Sequence, residues 1–108
     1  MNKLKEAKKL LKAKDLTWSK AIHNKYNNRC ACCGRTEYLN AHHIISRQHP
    51  NKTLRHDERN GILICSKCHL FSRTCSAHKQ SFQFMIWLMF KYTDQFNYLL
   101  SKVKGDIK

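Results

Sequence analysis

The side chains able to do chemistry cluster in the middle of this 108-residue chain. Cys30 and Cys33, and again Cys65 and Cys68, form two C-x2-C pairs separated by residues 34–64. Each pair can present two thiolates to one tetrahedral zinc at about 2.3 Å, and two such pairs are a strong signal for one shared ion. Cys32 is adjacent to Cys33, but only the 30/33 pairing keeps the two-residue gap, which leaves Cys32 and Cys75 as spare thiols. Four thiolates leave no open coordination position, so the predicted zinc is structural. It staples the start of the central region to the helix expected after Cys68, in a chain whose core is otherwise small.

A second group consists of imidazoles. "AHHII" at residues 41–45 sets His42 and His43 side by side in a short apolar run. Neighbouring side chains on a strand point to opposite faces, so the two rings cannot share one role. Further along come Asn60, then His69 directly after Cys68, then His78. His23, His49 and His56 have no partner at ligand spacing and read as surface or phosphate-contacting residues.

These residues need elements to hold them. "AHHII" and "NGILIC" (residues 60–65) are two short strands, joined by the polar loop "SRQHPNKTLRHDER", and together they predict a hairpin. Before it, Leu4, Ala7, Leu10 and Leu11 recur at helical spacing among six lysines, predicting a basic amphipathic helix over residues 2–14. That helix reads equally as a solvated face or as a DNA-contacting arm. Asp15 or Thr17 is placed to cap a second helix over roughly residues 16–27, with Leu16, Trp18 and Ile22 on its buried side. After residue 80 the apolar residues Phe82, Met85, Ile86, Met89 and Phe90, then Phe96, Leu99, Leu100 and Val103, predict an aromatic scaffold helix. The expected division is a basic helical extension over residues 1–28, a core over 29–80 and a helical region over 81–108 packing on that core.

Composition narrows the partner. Lys and Arg number 21 against 7 Asp and Glu, a formal charge of +14, and so large an excess points to a polyanion, nucleic acid first and an anionic membrane surface second. No apolar run reaches the ~18 residues of a membrane span, and "FMIWLMF" is far short of it. The N-terminus alternates lysine with leucine and builds no signal-peptide core. These features predict a soluble, cytoplasmic protein with reduced thiols.

The order His42-His43, Asn60, Cys65-x2-Cys68-His69, embedded between two C-x2-C units, resembles the HNH endonuclease family over roughly residues 29–80. The resemblance implies an α+β fold: a ββα-metal core of hairpin, loop and helix, stapled by the four-cysteine zinc and flanked by N- and C-terminal helices. It implies hydrolysis of DNA phosphodiester bonds, by nicking or double-strand cleavage, with one catalytic divalent cation (Mg2+, Mn2+, Ni2+ or Zn2+). His42 would be a ligand of that cation and His43 the general base. Asn60 would hold the loop or orient His43. The family's two helix histidines stand one turn apart, but here the fourth position after His69 is Arg73, and His78 at i+9 falls on the opposite side of a regular helix. Both His69 and His78 are expected as ligands, with a chain break at "SRTCSA" between them. Arg73 is then free to grip a phosphate, alongside Arg47, Lys52, Arg55, Arg59 and Lys67. A compact, lysine-rich, freestanding chain of this kind looks like the bacteriophage members of the family. Double-stranded DNA is the expected substrate for a monomer, and cutting both strands would need a dimer on DNA or two visits. A non-catalytic, zinc-stabilised nucleic-acid-binding module is the rival reading, and a zinc-bearing interaction adaptor, which leaves the charge unexplained, is the third.

Overall fold

The computed structural model describes residues 2–71 and 81–106. Their order is α1 (Lys3–Lys25), β1 (Leu39–His43), β2 (Gly61–Cys65), α2 (Ser66–Phe71), α3 (Ser81–Lys91) and α4 (Thr93–Val103). Two 3-10 turns, Lys52–His56 and Glu58–Asn60, lie in the loop between the strands. This is an α+β fold with a two-stranded antiparallel sheet and flanking helices. None of the described helices is long and apolar enough to cross a membrane.

The expected pair of N-terminal helices is one continuous helix. Asn2 caps it, its side chain accepting from the Leu4 N–H at 2.9 Å. It stops at a run of asparagines, where Asn27 and Asn28 take positive φ of 55° and 54°, a conformation that asparagine tolerates better than most residues. Neither residue expected to start a second helix does so. The Asp15 carboxylate is taken by Arg55 and His56, and the Thr17 hydroxyl donates back to the Ala13 carbonyl at 3.1 Å. With no glycine or proline to interrupt it, the helix runs through. Trp18 and Ile22 are buried as expected, but Leu16 is exposed.

The strands pair antiparallel, Leu39 opposite Cys65 and His43 opposite Gly61. Every residue of β2 is buried, so both sheet faces are covered. Ile62 and Ile64 pack with Phe84 and Leu88 of α3 and with Cys30, Cys65 and Cys68. Leu63 packs on the other face with Trp18 and Ile22 of α1. His42 stands opposite Ile62 and His43 opposite Gly61, so the two imidazoles inherit opposite faces. Gly61 allows the close approach of α1: a Cβ there would lie 2.8 Å from Trp18 Cζ2 and closer still to Ile22 Cδ1.

The expected single C-terminal helix is broken at Tyr92 into α3 and α4. Its buried stripe is also not the one expected. Phe84, Leu88 and Leu99 are buried, whereas Phe82, Met85, Ile86, Phe90 and Leu100 are exposed. A two-stranded sheet offers too little area to cover a helix that is apolar nearly all round, so one stripe is chosen. On α4 the buried position next to Phe96 is polar: Gln95 donates to the Arg59 and Gly61 carbonyls at 2.9 and 2.8 Å.

Gly61→Ala is expected to destabilise by about 1–3 kcal/mol, the usual cost of overpacking a filled core. Chemical denaturation checks this, and the cost should shrink in the Gly61→Ala, Ile22→Val double variant, which removes the nearest atom.

Candidate active site and metal centre

The two C-x2-C pairs converge. The sulfurs of Cys30, Cys33, Cys65 and Cys68 all lie within 4.8 Å of one another. Cys33 Sγ and Cys65 Sγ are 3.7 Å apart, close to the edge of about 3.8 Å that a tetrahedron with bonds of about 2.3 Å requires. Local hydrogen bonds shape the first knuckle: Gly34 N–H donates to Cys30 O at 2.9 Å and Cys30 N–H to Arg35 O at 2.8 Å, with Gly34 at φ 77°. Ala31 N–H then docks it on the Leu63 carbonyl at 2.8 Å. Burial raises the Cys30 thiol, but the backbone N–H groups of Cys33, Cys65 and Cys32 outweigh it and bring the group down to about 7. Burial and the neighbouring sulfurs push Cys68 up. Four such thiols fit zinc, which relieves that crowding by replacing their protons. Cys32, expected as a spare thiol, is disulfide-bonded.

On the α3 face, the His42 ring meets the His69 ring of α2 at a centroid distance of 5.2 Å and 69° between planes. Imidazoles sharing one ion through nitrogens at about 2.1 Å bring their ring centres to roughly 5 Å, so this pair fits a divalent cation. His78 and Arg73 lie outside the described residues.

On the α1 face, His43 lies parallel to the Trp18 indole, with centroids 3.9 Å apart and 8° between planes. Its Nε2 is 2.8 Å from the Arg55 carbonyl. A carbonyl only accepts, so Nε2 carries the hydrogen, and in the neutral ring the lone pair is on Nδ1. Burial holds His43 below the ordinary imidazole value; the Arg55 carbonyl opposes this and the Arg47 charge reinforces it.

Of the two roles expected for Asn60, the structure shows contact with the loop and not with His43. The side chain is wholly buried. Its Oδ1 accepts from Ile45 N–H at 2.7 Å, and its Nδ2 donates to the carbonyls of Ile45 and Leu54 at 2.9 and 3.0 Å. It thereby closes the long loop onto the end of β1.

A cleft of about 570 Å³ is lined by His42, His43, Ile44, Arg47, Phe84 and Met85, among others. Of the expected phosphate contacts, Arg47 is therefore at the histidine pair, and Lys52 and Lys67 are exposed on the first 3-10 turn and on α2. Arg55 is instead engaged by Asp15 through two hydrogen bonds of 2.9 and 2.7 Å. Arg59 lies over the Tyr98 ring at 3.4 Å. His49 bonds Asp106 and His56 bonds Asp15, each at 2.8 Å. Asp15 and Trp18 were not foreseen near these histidines, because the contacts join residues 25 to 41 positions apart and follow no local pattern.

Residues 30–71 match the HNH endonuclease family model. The matched stretch holds both knuckles, the histidine pair, Asn60 and His69. The match covers less than half of the chain, and it makes this stretch similar to a nuclease family. No curated protein and no solved structure matches the chain.

Asn60→Ala is expected to cost about 1–3 kcal/mol through the buried loop groups it leaves unpaired. Hydrogen exchange should show the Ile45 amide losing protection before the strand amides do.

Proposed function

We propose that this protein is a metal-dependent endonuclease that hydrolyses phosphodiester bonds of double-stranded DNA. The observation that carries the reading is the division of the histidine pair at one cleft: His42 against His69 on one face, and His43 with its Nε2 on a carbonyl on the other. His42 and His69 would hold a catalytic cation, with His78 as the further ligand. When bound, the cation supplies Lewis-acid stabilisation of the charge that builds on the phosphate and the leaving oxygen. His43 Nδ1 takes the proton of the attacking water, as general base. Arg47, beside the pair, draws the phosphate in by charge-assisted hydrogen bonding. Asn60 keeps the loop closed so that the Arg55 carbonyl stays at the Nε2 edge of the His43 ring. Cys30, Cys33, Cys65 and Cys68 would hold a structural zinc that fixes α2, and with it His69, against β2.

Supercoiled-plasmid nicking with Mg2+, Mn2+, Ni2+ and Zn2+, run beside a metal count, tests the proposal. The wild type is expected to nick with at least one cation. His43→Ala should lose on the order of 10²–10⁴-fold, the usual contribution of a general base, and should retain its zinc. A wild type that binds DNA and cuts with none of the four metals would replace this reading with that of a non-catalytic, zinc-stabilised binding module.

The amino-terminal half of α1 enlarges the DNA surface. Residues 2–14 are exposed throughout, and the rise of about 1.5 Å per residue carries the helix tip roughly 20 Å beyond Trp18. Its lysines would lie along a backbone leaving the cleft. Replacing Lys5, Lys8, Lys9 and Lys12 with Gln should flatten the plot of log affinity against log salt by up to about 0.9 for each phosphate no longer neutralised, measured by fluorescence anisotropy with the His43→Ala protein.

A further inference from the structure

The matched stretch begins at Cys30, yet the ring assigned as general base is held from outside it. Asp15 and Trp18 are three residues apart and therefore lie near one another on the same side of α1. Trp18 is almost wholly buried, and it is fixed at its edge, where the indole Nε1–H donates to the Asp57 carbonyl at 2.9 Å. One face of that fixed indole carries the His43 ring. Asp15 grips two consecutive residues of the first 3-10 turn. Its carboxylate accepts from Arg55 Nε and Nη2 and lies 2.8 Å from His56 Nε2. The turn held in this way supplies the carbonyl that His43 Nε2 meets.

We propose that Trp18 and Asp15 are positioning residues for His43, so that α1 completes the catalytic site from outside the family core. The inference rests on the nuclease reading for its consequence, though not for its geometry. Trp18 fixes the plane of the ring, because a stack at 3.9 Å and 8° leaves little freedom to tilt. Asp15 fixes the rotation within that plane, because it ties down, alongside Asn60, the turn whose Arg55 carbonyl meets Nε2–H. Together they set where Nδ1 points. Trp18 cannot be a stacking platform for a nucleobase, since its accessible surface is spent inside the protein. Asp15 cannot reach the reacting atoms, since both its oxygens are engaged by the turn.

A merely structural role predicts a different set of results. In zinc-loaded wild type with 15N-labelled histidine and no added catalytic cation, NMR should show His43 as the Nε2–H tautomer, with its ring protons shifted upfield by the indole. Asp15→Asn is expected to give mixed tautomers and to lower kcat on the order of 10²-fold, the scale of a small misplacement of a reacting group, with KM changed by less than about twofold. Asp15→Glu should recover most of kcat and the single tautomer. Trp18→Leu should abolish the upfield shift and lower kcat similarly, whereas Trp18→Phe keeps a stacked ring and stays within about tenfold of wild type. Should Trp18→Leu fail to fold, the Asp15 pair carries the test, because its ion pair is half-buried and outside the core. The proposal is overturned if Asp15→Asn retains the wild-type tautomer and kcat, or if its activity falls only in step with zinc content and thermal stability. If the wild type cuts nothing, the nuclease reading fails by itself, and the tautomer and ring shift still decide whether Asp15 and Trp18 hold His43.

Discussion

A two-stranded hairpin is not stable alone in water, and everything in this protein follows from the need to cover it on both faces. β2 is buried from Gly61 to Cys65, with α1 on one side and α3 and the cysteine cluster on the other. Alternation along β1 then sorts its side chains between two different environments. His42 is delivered to the side where α2 places His69, and His43 to the side where α1 places Trp18. One constraint, the pleat of a short strand, thus separates two adjacent imidazoles into different environments.

Each face also has to satisfy the loop that leaves the hairpin. Two buried amides do most of this from opposite directions. Asn60 bonds forward to Ile45 and Leu54, and Gln95 on α4 bonds from behind to the carbonyls of Arg59 and Gly61 that flank Asn60. Tyr26 adds its hydroxyl, donating to Gln95 Oε1 at 3.0 Å. No buried side-chain polar atom among the described residues lacks a partner. The loop consequently presents a fixed carbonyl at Arg55, which is what the His43 ring requires.

The charge on Asp15 has a corresponding place in this scheme. The hydrogen bond from Arg55, reinforced by His56 against the opposing effect of burial, holds its carboxyl down to about 2. A depressed carboxyl favours the folded state at every pH above its ordinary range, and that contribution fades only as pH falls toward about 2. The charge that ties α1 to the first 3-10 turn is therefore kept at every pH above the ordinary carboxylate range. On the other face four thiols lie close together in a cluster that could hold zinc, and an ion bound there would link metal binding to folding.

Local chemistry was legible in the sequence to the extent that it depends on spacing. Each C-x2-C pair brings its own two thiols together, the strands form where apolar runs meet turn residues, and His42 and His43 alternate, because each depends on neighbours a few positions away. The order of His, Asn and Cys was also enough for the likeness to HNH endonucleases, which the match over residues 30–71 supports. The sequence pattern misled where a residue had two possible partners. Asp15 has the chemistry of a helix cap, but Arg55 and His56, 40 and 41 residues on, claim it, and the expected helix boundary disappears. The apolar residues of α3 exceed what a small sheet can cover, so periodicity could not say that Phe84 and Leu88 would be chosen over Phe82 and Phe90. The sequence by itself determined which side chains could bind metal and which faces they would take. Only the tertiary structure decided that α1 would lie on the His43 face, because that docking depends on the absence of a side chain at Gly61 and on contacts between residues far apart in the chain.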